Sequence, residues 1–225
     1  MVGVYHVRAN EFLFEGFYPA ALNVVAPPSN PNLPKADFIN KTIQKTDSNW
    51  KPVGSGYTSS VWQHAADPTT VVKVVGGGTA NPLFRNDIHE HRAATLAFIN
   101  FCVDHGKESK HFPIIHGINV DDEDVLQIRM EHLLPIPDNS EYDLCGTLGE
   151  IDEGYTTEDD LTEALEAEGL SRYNSAADII KSVDMLRYAR QKYGKKYDIS
   201  LTMDLHAGNW LMHDNGTIVA VDPWI

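Results

Sequence analysis

One stretch constrains this chain more than any other: Thr69-Thr70-Val71-Val72-Lys73-Val74-Val75, β-branched almost throughout with a single charge inside it. Such a run reads as a strand. Its lysine is costly there unless the ammonium finds a partner or the strand lies at an edge where the side chain reaches solvent. Gly76-Gly77-Gly78 ends the run.

The surrounding pattern places this strand among others. Val53 to Tyr57 is turn-like, Ser60 to His64 reads as a strand, and Asp67-Pro68 reads as a turn. Asp87 to Val103 has helical spacing, with Ile88, Leu96, Ile99 and Cys102 on one face. His111 to Val120 and Val125 to Leu133 read as strands. Ala176 to Tyr193 is an amphipathic helix with Ile179, Val183, Leu186 and Arg190 on one stripe. Leu201 to Met212 and Thr217 to Val221 flank Asp214-Asn215-Gly216, and an Asn-Gly there signals a hairpin. Strands first and helix-rich material later predict an α+β chain with two lobes. Ahead of them, Ala36 to Lys45 has helical spacing behind a proline-rich linker, Ala26 to Pro34. The expected divisions are 1–50, an extension and linker; 51–134, an N-lobe; and 135–225, a C-lobe.

Composition narrows the partners. The formal net charge of −14 disfavours direct binding of nucleic acid, whose phosphates such a surface repels. Residues 138–168 hold much of the acid and read as part helix, part exposed loop. The two cysteines, Cys102 and Cys145, fit neither a zinc pattern nor a disulfide framework. No signal peptide is apparent at the N-terminus, and no segment approaches the roughly 18 apolar residues of a membrane span. These features predict a cytoplasmic protein with no membrane partner.

Four pieces carry chemistry. In Gly54-Ser55-Gly56-Tyr57-Thr58-Ser59-Ser60-Val61, glycines would let a strand–turn–strand backbone lie close over phosphates, although a tight hairpin needs glycines too. Lys73 lies on the next strand, where it could reach under that loop. In Asp204-Leu205-His206-Ala207-Gly208-Asn209, the Asp and Asn can converge, one orienting a hydroxyl and the other offering an amide oxygen to a metal. His206 would support that loop. Asp222, in Val219-Ala220-Val221-Asp222-Pro223, ends an apolar strand just past the hairpin, well placed to hold Mg²⁺ or simply to form an Asp-Pro turn.

In this order the set resembles the protein-kinase superfamily. It is most similar to the early host-takeover serine/threonine kinases of T-seven-like, short-tailed phages, over roughly residues 50–223. The resemblance implies a bilobal protein-kinase-like fold using ATP and Mg²⁺. It implies that Lys73 contacts the α/β-phosphates and pairs with Glu90, and that Gly54, Ser55 and Gly56 cover the phosphates. Met130-Glu131-His132-Leu133 would be the hinge, with Glu131 and Leu133 meeting adenine. Asp204 would be the catalytic base, and Asn209 and Asp222 the Mg²⁺ ligands. The implied substrates are host transcription or RNA-processing proteins and the chain itself.

The departures from that pattern are specific. Ser59 stands where many kinases have a third glycine, Thr202-Met203 replaces the usual His-Arg, and Pro223-Trp224 replaces Phe-Gly. With Ile225 following at once, the expected C-lobe is a shortened one. Two other functions fit the same residues. One is a small-molecule phosphotransferase of the aminoglycoside or choline kinase type, which shares the Asp-Leu-His-x-Gly-Asn loop. The other is a non-catalytic, acidic, kinase-like inhibitor of a host factor.

Overall fold

In the computed structural model the described residues are 5–7, 22–24, 49–55, 59–75, 85–120, 126–137 and 143–225. The helix expected over 36–45, the Gly76–Gly78 break and Gly56 lie outside them. The described chain is α+β, with a five-stranded antiparallel sheet and four helices. It divides into two compact units, residues 1–93 with 114–132, and residues 94–113 with 133–225. Among the described residues no helix is long and apolar enough to cross a membrane.

The first unit contains a small strand pair, β1 (Tyr5–Val7) and β2 (Leu22–Val24), and the main sheet. The sheet is built from β3 (Trp50–Ser55), β4 (Ser59–His64), β5 (Asp67–Val75), β6 (Ile115–Val120) and β7 (Leu126–Glu131), in the spatial order β3-β4-β5-β7-β6. The β-branched run of β5 is therefore the middle strand, with ladder partners on both sides. Pro52 is confined to edge strand β3, where a missing N–H costs little. Val53 bulges out of that ladder between Pro52 and Gly54 and is exposed. Strand alternation sends Val72 and Val74 to one face, where Trp50 and Trp62 pack on them. Lys73 goes to the other face, directly opposite Val61 on one neighbour and Ile128 on the other.

The turn expected at Asp67-Pro68 falls two residues earlier, at Ala65-Ala66, and β5 begins at Asp67. The reason is the Asp67 carboxylate. It accepts hydrogen bonds from the Thr69 hydroxyl at 2.8 Å and from the Thr70 hydroxyl, and it pairs with Arg129 of β7 at 2.9 Å. Both charged side chains are nearly buried, so the pair pins the start of the middle strand to its neighbour.

The second unit is mainly helical. α1 (Arg85–His105) extends the helix expected from Asp87 to Val103, and its residues from Ala94 onward belong to this unit. The acidic stretch holds two helices, α2 (Leu144–Glu150) and α3 (Glu158–Ala167). Asp143 caps α2 through Gly146 N–H, and Thr157 and Asp160 form a reciprocal capping box on α3. Glu158, Asp159 and Asp160 sit in the first turn of α3, where the helix dipole favours negative charge. That acidity therefore encodes a helix start.

α4 (Ala176–Tyr197) runs one turn beyond its expected end. Its buried stripe continues through Ala189 and Tyr193, and Arg190 lies to the side. Asp198 closes the helix in a left-handed conformation (φ 54°), and Lys195 and Lys196 complement the dipole in the last turn. Three short strands complete the unit: β8 (Leu134–Pro135), β9 (Trp210–Met212) and β10 (Ile218–Ala220), in the order β10-β9-β8. The Asn-Gly signal is realised as the β9–β10 hairpin. Gly216 takes φ +88° and donates to His213 O at 2.8 Å, closing a turn that β-carbon-bearing residues rarely adopt.

The strand expected from His111 begins only at Ile115. His111 bonds elsewhere, its N–H to Ser109 Oγ at 3.0 Å and its ring to Ile218 O at 2.7 Å, while Ile114 still meets β7 through its carbonyl, which accepts from Glu131 N–H at 3.2 Å.

Asp67 yields a pH prediction. Burial would raise its carboxyl, but the bonds from Thr70, Thr69 and Arg129, with the Arg129 charge, outweigh burial and hold it below the ordinary value of 3.8. A depressed carboxylate contributes stability in full above the unfolded value and loses it as pH falls through the lower folded value. Asp67→Asn is expected to lower unfolding stability at pH 7 by roughly 1–3 kcal/mol. Its gap to wild type in urea unfolding should close as pH falls from 3.8 through the lower folded value. An unchanged urea midpoint at pH 7 would contradict the role given to this pair.

Candidate active site

In the second unit, two segments far apart in sequence meet through backbone pairing. Thr202 N–H reaches Ile225 O at 2.7 Å, Ile225 N–H returns to Thr202 O at 3.0 Å, and Asp204 N–H reaches Pro223 O at 2.8 Å. Met203 and Trp224 form an antiparallel bridge between them. Trp224 anchors this pairing. It is buried against Phe98 and Phe101 of α1 and Tyr193 of α4, with ring centroids 5.7–6.1 Å apart. Leu205, 4 % exposed, holds the loop from beneath.

The loop then turns tightly. Ala207–Asn209 form a single 3₁₀ turn whose cap is His206, with Nδ1 accepting from Gly208 N–H at 3.0 Å. An accepting Nδ1 carries no proton, so the neutral ring carries its hydrogen on Nε2. That nitrogen lies 3.8 Å from Asp204 Oδ2. Gly149 of α2 lets the helix approach the loop. A β-carbon there would sit 3.4 Å from both Ala207 N and Leu205 O.

Asn209 joins the pieces. Its side-chain amide donates to Asp204 O at 2.5 Å and to Asp222 O at 3.1 Å, with Asp204 Oδ2 at 3.4 Å. Its backbone carbonyl accepts from Val221 N–H at 2.8 Å. The amide nitrogen is thus committed to the two aspartate segments, and the oxygen is the atom left for a cation. Asp222 adopts a left-handed backbone, φ 49°, two residues past the end of β10. Cys102 of α1 lies nearby. Burial first, and the charge of Asp222 second, push its thiol well above the usual range, so it stays protonated.

Asp204, Asn209 and Asp222 are therefore brought together. The other sequence candidates lie in different places. Lys73, on the middle strand of the sheet, is only 7 % exposed, so it is not the solvent-facing edge lysine the sequence also allowed. Gly54 and Ser55 end β3, and Glu90 lies near the start of α1. Glu131 ends β7 and accepts from Ile114 N–H at 2.8 Å, while Leu133 is buried in the second unit. Sequence reasoning missed three supports: Gly149 behind the loop, the Pro223–Ile225 pairing, and His111 on β10. Glycine inside a helix was the only visible signal among them.

Two carboxylates and an amide oxygen are hard oxygen donors that suit Mg²⁺, which is commonly held by one or two carboxylates plus substrate phosphates and water. Among the described residues no group of three or more His, Cys, Asp or Glu side chains could hold a metal unaided.

Asn209→Asp is a direct test of the amide bridge. It is isosteric, but at pH 7 it sets carboxylate oxygens against two carbonyl oxygens. It is expected to destabilise the protein by on the order of 2–4 kcal/mol. Acidification should relieve part of that, because the protonated carboxyl can donate again. Thermal unfolding at pH 7 and pH 4 measures both effects, and a wild-type melting temperature at pH 7 would refute the bridge. No protein-family model and no curated protein matches the chain, so the cluster stands on its own geometry.

Proposed function

We propose that this chain is an ATP- and Mg²⁺-dependent serine/threonine protein kinase of protein-kinase-like bilobal build. The observation that carries the reading is Asn209, whose amide ties Asp204 to Asp222 and so fixes a proton acceptor beside two oxygen donors for a cation. The position of Lys73 supports it as well: it is a buried cation on the middle strand, opposite Val61 and Ile128.

In this reading Asp204 orients the acceptor hydroxyl and takes its proton as the oxygen attacks the γ-phosphorus of ATP. Asn209 Oδ1 and the Asp222 carboxylate would hold Mg²⁺, which when bound neutralises phosphate charge. Lys73, paired with Glu90, would meet the α/β-phosphates. Gly54, Ser55 and Gly56 would cover them, and Glu131 and Leu133 would meet adenine. The acceptors would be host proteins, including those of transcription and RNA processing, and the chain itself. Catalysis here is positioning and charge stabilisation.

A second reading has one observation in its favour. The residues after Asp222 are held in place: Pro223 and Ile225 pair with 202–204, and Trp224 is buried. A fixed segment at that point, with the Asp-Leu-His-x-Gly-Asn loop, suits transfer to a small hydroxylated acceptor.

Incubation with γ-³²P-ATP and Mg²⁺, alone and with bacterial lysate, tests both. Label on the protein or on lysate proteins is expected, reduced about 10²–10⁴-fold in Asp204→Ala and comparably in Lys73→Ala. Undiminished labelling in Asp204→Ala would refute the assigned base. ATP turnover stimulated by small acceptors, with no labelled protein, would favour the second reading.

A further inference from the structure

His111 is 1 % exposed and does two things to β10. Its ring Nδ1–H donates to Ile218 O at 2.7 Å, and its backbone carbonyl accepts from Ala220 N–H at 3.0 Å. It thereby grips both ends of the three-residue strand. Two residues beyond Ala220 stands Asp222, and between them Val221 N–H is bonded to Asn209 O. The grip on β10 thus sets where the chain enters its left-handed turn. The far ring nitrogen, Nε2, is buried with no hydrogen-bond partner among the described residues. A proton there would create a buried N–H without an acceptor and a buried charge.

We infer that His111 is a positioning residue for Asp222, a clamp on β10 that holds only while its imidazole is neutral. This rests on the reading of Asp222 as the metal-binding carboxylate.

Three charged or titratable groups act on the ring. Lys110, beside it in sequence, and His213 of the hairpin oppose a positive charge. Asp178, in the first turn of α4, favours one. Burial is the dominant influence and, with Lys110 and His213, it outweighs Ile218 O and Asp178, so the folded imidazole titrates below its ordinary 6.5. A depressed histidine stabilises the clamp fully above 6.5, and that stability drains away as pH falls from 6.5 toward the folded value. Opening of β10 releases the ring to take its proton. Between pH 8 and pH 5 the open fraction rises by at most about thirtyfold, if the open ring titrates near 6.5.

The test is amide hydrogen exchange of Ala220 and Val221 between pH 5 and pH 8, corrected for intrinsic rates, alongside Mn²⁺ binding followed by paramagnetic broadening. The full chain is compared with His111→Asn, whose amide can still donate to Ile218 O but cannot take the proton, and with His213→Asn. Wild type should lose protection toward pH 5, with Mn²⁺ affinity falling over the same range. His111→Asn should stay flat in both, and His213→Asn should retain the pH dependence. If protection follows this pattern but Mn²⁺ broadens nothing near Asp222 at any pH, the clamp stands and the metal reading fails. Wild-type protection that ignores pH, or an equal loss in His111→Asn, overturns the inference.

Discussion

A single side-chain amide carries most of the architecture of the candidate site. Asn209 donates to the carbonyls of Asp204 and Asp222, residues that approach each other only because strand-like pairing folds 223–225 back on 202–204. Each of those carbonyls lies in irregular backbone, where no helix or sheet ladder could satisfy it. The supports radiate from this bond. Leu205 and Trp224 fill the space beneath, Gly149 admits α2 behind the loop, and His206 caps the turn that presents Asn209. Buried polar groups in such a network are held by one another, and losing one exposes the rest to a desolvation cost.

The sheet of the first unit obeys a different logic. Its interior is a ladder of β-branched residues whose two faces differ. One is closed by tryptophans against Val72 and Val74, and the other carries Lys73 between Val61 and Ile128. An ion pair and two threonine hydroxyls fix where the middle strand starts, and so fix the register that decides which face Lys73 occupies. A one-residue slip would send the ammonium among the indoles. The Asp67–Arg129 pair therefore matters for side-chain address as much as for stability.

Much of the secondary structure was legible because local chemistry and burial agree. The β-branched run, the apolar spacing of α1 and α4, and the Asn-Gly hairpin each state their structure within a few residues. Two of the shifted boundaries share a cause: a side chain whose partner lies far away in sequence. Asp67 pairs with Arg129 on β7, and His111 bonds to Ile218, partners no local window contains. In the site, the Asp204–Asn209 loop announced its residue types. The partner that closes it did not, because the pairing of 202–204 with 223–225 joins segments with no shared pattern. Arg190 was placed on the buried stripe by periodicity alone, whereas the stripe runs through Ala189 and Tyr193 and Arg190 is half-buried beside it.

The left-handed backbone at Asp222 has a consequence for how this position can drift in sequence. In the proposed reading two independent demands fall on it: a carboxylate for the cation, and tolerance of a φ of 49°. Asparagine and glycine satisfy the backbone and lose the charge, while glutamate keeps the charge on a side chain that adopts this conformation less readily. Aspartate alone meets both. Single-residue change at this position thus has no neutral neighbour, and a replacement there reads as a change of function or of backbone.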